Sequence, residues 1–303
     1  MIKELPEIPE QLEVFGFSTA REIVNQTLHQ TANHRGDTVK ETPNVSSGFA
    51  NLDSITNGFK RGSLTTIGTR PGNGKTAFVL SMIHNISVVS DRCVALFSPE
   101  RSAVKVVKRL IESHTSHSVE RIRRGTLKDG EQAHALSLVD AIANASLLID
   151  DNPTLNDREI TKRCQAAVKQ FHAEIVLVDS PESYVMHLHD PEVRAEALQE
   201  MITSLKQFAV EAQVPVVLFT QLPKPHTLIN GGFVPSMKEL PDFVNDHSDN
   251  VLFIHRPEFY QSSNTSAPKG TVSLISGKID NREDKKETFL KFIESIDRFT
   301  DPD

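Results

Sequence analysis

Residues 67–78 read IGTRPGNGKTAF, and the fold turns on how this stretch is read. A loop that grips nucleotide phosphates has the pattern G-x-x-x-x-G-K-[ST]. Counting back from Gly74, Lys75 and Thr76 puts Thr69 at the first position, with Gly68 one place early. The chemistry does not need that first glycine, because backbone N–H groups and the N-terminus of the following helix make the cradle. Arg70, Pro71, Gly72, Asn73 and Gly74 form the turn, and the two glycines supply its tight backbone. Lys75 is placed to reach the β and γ phosphates of ATP, and the Thr76 hydroxyl to join the oxygen shell of Mg²⁺. The flanks agree: SLTTIG (63–68) is β-branched and apolar, as a buried strand requires. KTAFVLSMIHNISVV (75–89) continues as a helix with Phe78, Ile83 and Val88 among its apolar positions.

Outward from this loop, short apolar runs recur between helical patterns: CVALFS, SLLID, EIVLVD, VPVVLFT and NVLFIH. Such alternation predicts an α/β fold with a mostly parallel sheet covered by helices on both faces. The helix over 156–172 is well marked, with Asn156 as cap, Glu159 three residues on, and Ile160, Cys164, Ala167, Val168 and Phe171 at helical spacing. Ahead of the α/β body, Thr19 and Glu22 stand at capping-box spacing in STAREIVNQTLHQ (18–30), which predicts a short amphipathic helix. A polar stretch with Gly36 and Pro43 then links it to the body, giving an N-terminal segment 1–45 and a main domain 46–303. A lone tethered helix cannot bury its apolar face by itself and is expected to dock on the parent domain or on a neighbouring subunit, of which the neighbour is preferred. SSNTSAPKG (262–270) reads as a surface loop.

Length and composition narrow the function. A chain of 303 residues can bury a proper core. Its 33 basic against 40 acidic residues argue against a protein that grips nucleic acid with its whole surface, so any DNA contact must be local. There is no Trp and there are only two Tyr, so a stacking platform for single strands would have to rely on Phe or on none. MIKELPEIPEQLEVF is acidic and lacks a long apolar run, and no later stretch has the length that spans a bilayer. The expected setting is cytoplasmic, without membrane contact. Cys93 and Cys164, one in a strand and one in a helix, lack metal or redox spacing and read as two reduced, buried thiols.

Ligands of an open α/β sheet bind at the carboxyl ends of its strands, so the residues there carry the chemistry. EIVLVDS ends in Asp179, a carboxylate placed to hold the Mg²⁺ shell. CVALFSPE ends in Glu100, placed as base toward an attacking water. VPVVLFTQ ends in Gln221, an amide that can sense the γ phosphate by hydrogen bonding. Other clusters are weaker. His187, His189 and Asp190 in MHLHD have no second cluster to complete a metal site and read as a solvated loop. Arg121, Arg123 and Arg124 read as a charged helix face.

SSGFANLDSITNGFKRGSLTTIGTRPGNGKTAF, then FSPE, VLVDS, FTQL and VLFIHRPEFY, resemble in order the C-terminal RecA-like motor domain of DnaB-type replicative helicases, over roughly residues 46–292. The helix at 18–30 is similar to that family's linker helix. The family commonly has a small residue other than Gly at the loop's first position, followed by Arg-Pro, as Thr69, Arg70 and Pro71 stand here. The resemblance implies a ring-shaped homo-hexamer with Mg-ATP between subunits, translocation on single-stranded DNA in replication, and dealings with a loader, a primase or a host replicative helicase. It carries over Lys75 and Thr76 as phosphate and Mg²⁺ ligands, Glu100 as base, Asp179 as Mg²⁺-shell carboxylate and Gln221 as γ-phosphate sensor.

Three departures qualify what is carried over. Only about 45 residues precede the motor, where the family has a large N-terminal domain. The loop after Gln221, where the family contacts DNA, reads MKELPDFVNDHSDN; Lys224 and Lys238 are the basic candidates there. The hairpin that presents a Lys and an Arg to the neighbour's site reads GKIDNRED, with Lys278 in place but Asp280 two residues on. Lys278, Asp280 and Arg282 share parity, so along a continuing strand they project from one side with Arg282 about 7 Å beyond Asp280. Asp280-Asn281 is also turn chemistry, which would fold Arg282 back as a displaced finger acting in trans. Two functions follow from these residues: an ATP-driven helicase motor, or a helicase-like regulatory subunit with weak or no turnover that joins or blocks a true helicase ring. A third, a RecA- or KaiC-like ATPase with another substrate, is opposed by the RPGNGKT and FTQL contexts.

Overall fold

The computed structural model describes residues 18–19, 44–223, 234–259 and 269–302. Its strands are β1 (Ser18–Thr19), β2 (Leu64–Thr69), β3 (Val94–Phe97), β4 (Leu147–Asp150), β5 (Ile175–Asp179) and β6 (Val216–Gln221), then β7 (Asn250–His255), β8 (Thr271–Ile279), β9 (Arg282–Glu283), β10 (Glu287–Ile293) and β11 (Arg298–Thr300). They form one sheet in the order β1-β4-β3-β5-β6-β2-β7-β8-β10-β11, with β9 paired to β8. The six apolar runs of the sequence are the six strands β4, β3, β5, β6, β2 and β7, and every neighbouring pair among them is parallel.

Period-two alternation explains why these strands are apolar throughout. In β5, Ile175 and Leu177 join one core with Phe78, Leu110 and Ile142, from the helices Lys75–Ile83, Ala103–Thr115 and Asp129–Ala143. Val176 and Val178 join the other core with Ile160, Cys164, Leu205 and Phe208, from the helices Asp157–Phe171 and Pro191–Ala212. A strand covered on both faces has no polar side. The predicted cap at Asn156 is present: its Oδ1 accepts from Glu159 N at 3.0 Å, and the Glu159 carboxylate accepts from Asn156 N at 3.0 Å. The helix that follows the phosphate loop runs from Lys75 to Ile83 and continues as a π turn over His84–Val89, with Phe78 and Ile83 buried and Val88 packed on the core.

One expectation lies outside the described residues and one is corrected. Ser18–Thr19, which lead into the predicted linker helix, are extended and pair antiparallel with β4, as a cap at Thr19 allows; the helix itself lies outside the described residues. The chain does not run on as a strand past Ile279. Asp280 and Asn281, with φ of 47° and 62°, make a two-residue hairpin turn, the geometry for which Asp and Asn are favoured. Arg282 faces Ile279 and Glu283 faces Lys278 across the hairpin. Directly opposed residues of an antiparallel pair lie on one face, so Lys278 and Arg282 lie on opposite faces and not on a common side.

β8 runs against β7, and Lys278 is level with Val251, which is level with Thr66. Lys278 therefore lies about 10 Å below the loop end of β2 along the strand direction, and the turn lies beyond it. Asp249 fixes this end: its carboxylate accepts from Leu64 N at 2.7 Å, Lys206 at 2.5 Å and the Asn281 amide at 3.0 Å. The hairpin thus leaves the sheet at the rim opposite the phosphate loop.

Candidate nucleotide-binding site

The phosphate loop leaves the buried end of β2. Gly68, the glycine one place early, belongs to the strand and not to the loop: a Cβ there would sit 3.0 Å from the Phe253 ring and 3.2 Å from Leu222. Packing between β7 and β6 accounts for it. Thr69 closes the strand, fully buried, and the loop proper turns at Gly72 and Gly74, with φ of 85° and 94°. Non-glycine residues rarely adopt such angles. Around Gly72 a Cβ would meet open space, whereas at Gly74 it would strike the Phe299 ring at 2.9 Å.

Lys75 opens the helix. Gly74 provides no side-chain cap, and the first intrahelical amide to find a loop partner is Phe78 N, which donates to Gly74 O at 2.9 Å. The first amides of a helix have no partner within it, and they carry the positive end of its dipole. They face a cavity of about 570 Å³, within the range of ligand pockets, bordered by Lys75, Thr76, Glu100 and Gln221. Not every loop side chain faces this cavity. Asn73 is fully buried with its amide directed to Ile254 O, and the Arg70 guanidinium is held by Glu239 at 2.7 Å, so these two offer the loop their backbone.

Three of the predicted residues converge. Lys75 Nζ, at the start of the helix after the loop, lies 2.9 Å from Asp179 at the end of β5 and 3.8 Å from Glu100 in the turn after β3. Burial pushes the Asp179 carboxyl above its ordinary value, with the Lys75 charge opposing. Glu100 behaves in the other direction. Burial would raise it, but the Ser183 hydroxyl at 2.6 Å, the Lys75 charge, the Ser180 hydroxyl at 3.1 Å and the Arg101 charge together hold it below the usual carboxylate range. A carboxylate kept ionised and partly exposed can accept a proton from water. Gln221 closes β6 beside Thr69 with its side chain exposed.

The donor set suits Mg²⁺, a hard cation that takes oxygen ligands: the Thr76 hydroxyl stands on the cavity wall and the Asp179 carboxylate one lysine away. Lys278 and Arg282 do not join this site within one chain. Lys278 Nζ donates to Asn245 O at 2.9 Å, Arg282 is exposed, and Asp280 lies 3.5 Å from Lys60. Among the DNA candidates, Lys238 is exposed on the short turn Met237–Glu239, and Lys224 lies outside the described residues. Arg123 and Arg124 pair with Glu120, and Asp190 caps the helix Pro191–Ala212, so those weaker clusters have structural roles.

Sequence reading missed two residues. Glu182, three past Asp179, accepts from the Thr220 hydroxyl, and burial pushes its carboxyl up. Arg101 borders the cavity immediately after Glu100. Both sit next to residues the motifs had marked, which is the signal that could have found them.

Among the described residues, no helix is long and apolar enough to cross a membrane. Comparison with known proteins agrees with the geometry. Replicative DNA helicase DnaC of Bacillus subtilis is 26% identical over 298 residues, covering 92% of this chain and 64% of that protein. Replicative DNA helicase DnaB of Geobacillus stearothermophilus is 25% identical over 284 residues, covering 92% of this chain and 61% of that protein. The solved structure of a DnaB-like replicative helicase, described with its interactions with primase, matches with a TM-score of 0.72 and 26% identity over 86% of this chain and 62% of that one. The chain thus spans less than two thirds of the length of these relatives. The DnaB-like helicase C-terminal domain matches residues 44–301, and with its RecA-like sheet and phosphate loop this chain belongs to that family.

Proposed function

We propose that this chain is an ATP-hydrolysing motor of the replicative helicase kind, moving along single-stranded DNA as a homo-hexameric ring in the cytoplasm. The domain 46–303 is the motor and the segment 1–45 its tether to a neighbour. The observation that carries the reading is the meeting of Lys75, Asp179 and Glu100 within 4 Å at the carboxyl ends of parallel strands, beside a glycine loop that opens onto a cavity. Such a meeting has little structural purpose, since it encloses two carboxylates around one cation.

In this reading the amides of Gly72 to Thr76 and the Lys75 ammonium bind the β and γ phosphates. The Thr76 hydroxyl and Asp179 would hold Mg²⁺, which when bound would offset charge that develops on the phosphate oxygens. Glu100 orients the attacking water and takes its proton, and Ser180 and Ser183 aim that carboxylate. Gln221, on the strand beside the loop, hydrogen bonds the terminal phosphate. Lys278 and Arg282 stand too far from their own loop and act on the site of another copy. Contacts with a loader, a primase or a host helicase would use surfaces outside the cavity.

The rival reading, a helicase-like regulatory subunit with little turnover, is favoured by one observation: the finger position is Asp280, an acid tied to Lys60. One measurement separates them. ATP turnover with and without single-stranded DNA, taken with the mass in solution, should show DNA-stimulated hydrolysis by a hexamer that Lys75→Ala abolishes. Nucleotide binding without turnover in either condition would favour the regulatory subunit.

A further inference from the structure

Four arginines border the cavity: Arg70, Arg101, Arg109 and Arg256. Three are engaged by carboxylates, Arg70 by Glu239, Arg109 by Asp297 and Arg256 by Glu258, and Arg256 also lies 4.3 Å above the Phe292 ring. Arg101 is the exception. Among the described residues it pairs with no carboxylate, and its Nε is enclosed without a hydrogen-bond partner. An enclosed guanidinium N–H is costly to leave unmade, so a half-buried arginine kept with its Nε in this state points to a ligand that completes it.

Its place is fixed from both sides. Arg101 N donates to Ser98 O at 3.3 Å, closing the turn after β3, and Ala103 N donates to the Asp151 carboxylate at 2.7 Å, anchoring the start of the next helix. The charge lies close enough to Glu100 and Asp179 to favour the ionised form of each, although burial still leaves the Asp179 carboxyl raised overall. Both of these belong to the reacting end of the site. Lys75, the other cation there, is already shared between the two carboxylates. An incoming triphosphate therefore meets one guanidinium with no competing partner, and it meets it beside the group that orients the attacking water.

We propose that Arg101 is a phosphoryl ligand in cis: its guanidinium, from the same chain as the loop, donates hydrogen bonds to the terminal phosphoryl oxygens of bound ATP. This rests on the nucleotide-binding reading above. A planar fork of donors suits those oxygens, and charge placed there stabilises the transferring phosphoryl group. In the step itself, the water oxygen bonds to the γ phosphorus, the bond to the β–γ bridging oxygen breaks, that oxygen leaves on ADP, and the water proton passes to Glu100. Arg101 neither gives nor takes a proton. It supplies on the home side of the cleft the positive charge that Asp280 does not supply from across it.

The test is equilibrium binding of ADP and of a non-hydrolysable β,γ-imido ATP analogue, both with Mg²⁺, to the full chain, to Arg101→Ala and to Arg101→Lys, with ATP turnover over a range of pH. In Arg101→Ala the analogue should bind about ten- to a hundredfold more weakly, as expected for lost charge-assisted bonds, while ADP affinity stays within about twofold. Arg101→Lys should recover part of the analogue affinity, and matching melting curves exclude a folding defect. Equal losses for ADP and the analogue, or no loss, overturn the proposal. So does a turnover defect that appears only as a shifted pH profile, which would make Arg101 a positioning residue for Glu100. A parent chain that binds neither nucleotide overturns the nucleotide-binding reading along with this one; a parent that binds both, with Arg101→Ala indistinguishable from it, overturns this one alone.

Discussion

Lys75→Ala should weaken the fold as well as abolish nucleotide binding. Lys75 Nζ lies 2.9 Å from Asp179, with side-chain exposures of 10% and 5%, so removing the lysine leaves an enclosed carboxylate without its cation. One-sided removal of a buried partner costs about 3–5 kcal/mol, and water entering from the cavity reduces this, so we expect about 2–4 kcal/mol at neutral pH. For a domain of this size that is a drop in melting temperature of roughly 4–16 °C. Asp179→Asn added to Lys75→Ala removes the stranded charge and should restore most of the stability, while nucleotide binding stays lost. The sign of the pH dependence follows from the raised Asp179 pKa. The folded state holds this proton more tightly than the unfolded chain, so the deficit shrinks as pH falls through the raised value and is full above it. Urea unfolding followed by circular dichroism at several pH values reads all three effects. An unchanged midpoint in Lys75→Ala, or a double variant no more stable than the single one, would refute the reasoning.

Arg282→Ala should slow ATP turnover at least about tenfold if Arg282 is a displaced finger, since such fingers contribute roughly 10³ to 10⁵, and Asp280→Arg should not slow it; steady-state hydrolysis checks both, and the reverse pattern would count for a regulatory subunit. Lys238→Ala should weaken single-stranded DNA binding in a fluorescence anisotropy titration, and because few phosphates are contacted the salt dependence of the parent should be shallow. His114, stacked 3.7 Å from His84, is held down to about 3 by burial first and by the His84 charge second. Its unfolded form takes up a proton below about pH 6.5, so stability should fall from there toward pH 3 by up to about 1.4 kcal/mol per unit, and His114→Gln should flatten that slope in acid unfolding.

The six parallel strands were legible because each is buried on both faces and so reads as an unbroken apolar run. Lys75, Glu100 and Asp179 were legible because loop and strand ends bring the site's residues to one rim whatever the helices between do. The hairpin was not. Parity along a strand and a turn at Asp280-Asn281 both fit GKIDNRED, and only the backbone, with two positive φ values, decides between them. Gly68 was read correctly as part of the strand SLTTIG, but the reason for a glycine there is not legible until Phe253 is seen lying against it. Arg101 stayed hidden because its meaning depends on what the other three arginines are bonded to, and those partners come from distant parts of the chain.

The phosphate loop and the Asp280-Asn281 hairpin leave the sheet at opposite rims. A contact that joins one copy's hairpin to another copy's loop is therefore heterologous, with a different surface used by each side. A pair made this way has an unused loop at one end and an unused hairpin at the other, so pairing cannot satisfy it. An open row of copies always has one fewer completed site than it has chains. Only a step rotation that closes on itself gives every chain a whole site, and any change that alters that rotation would yield a filament instead of a closed body.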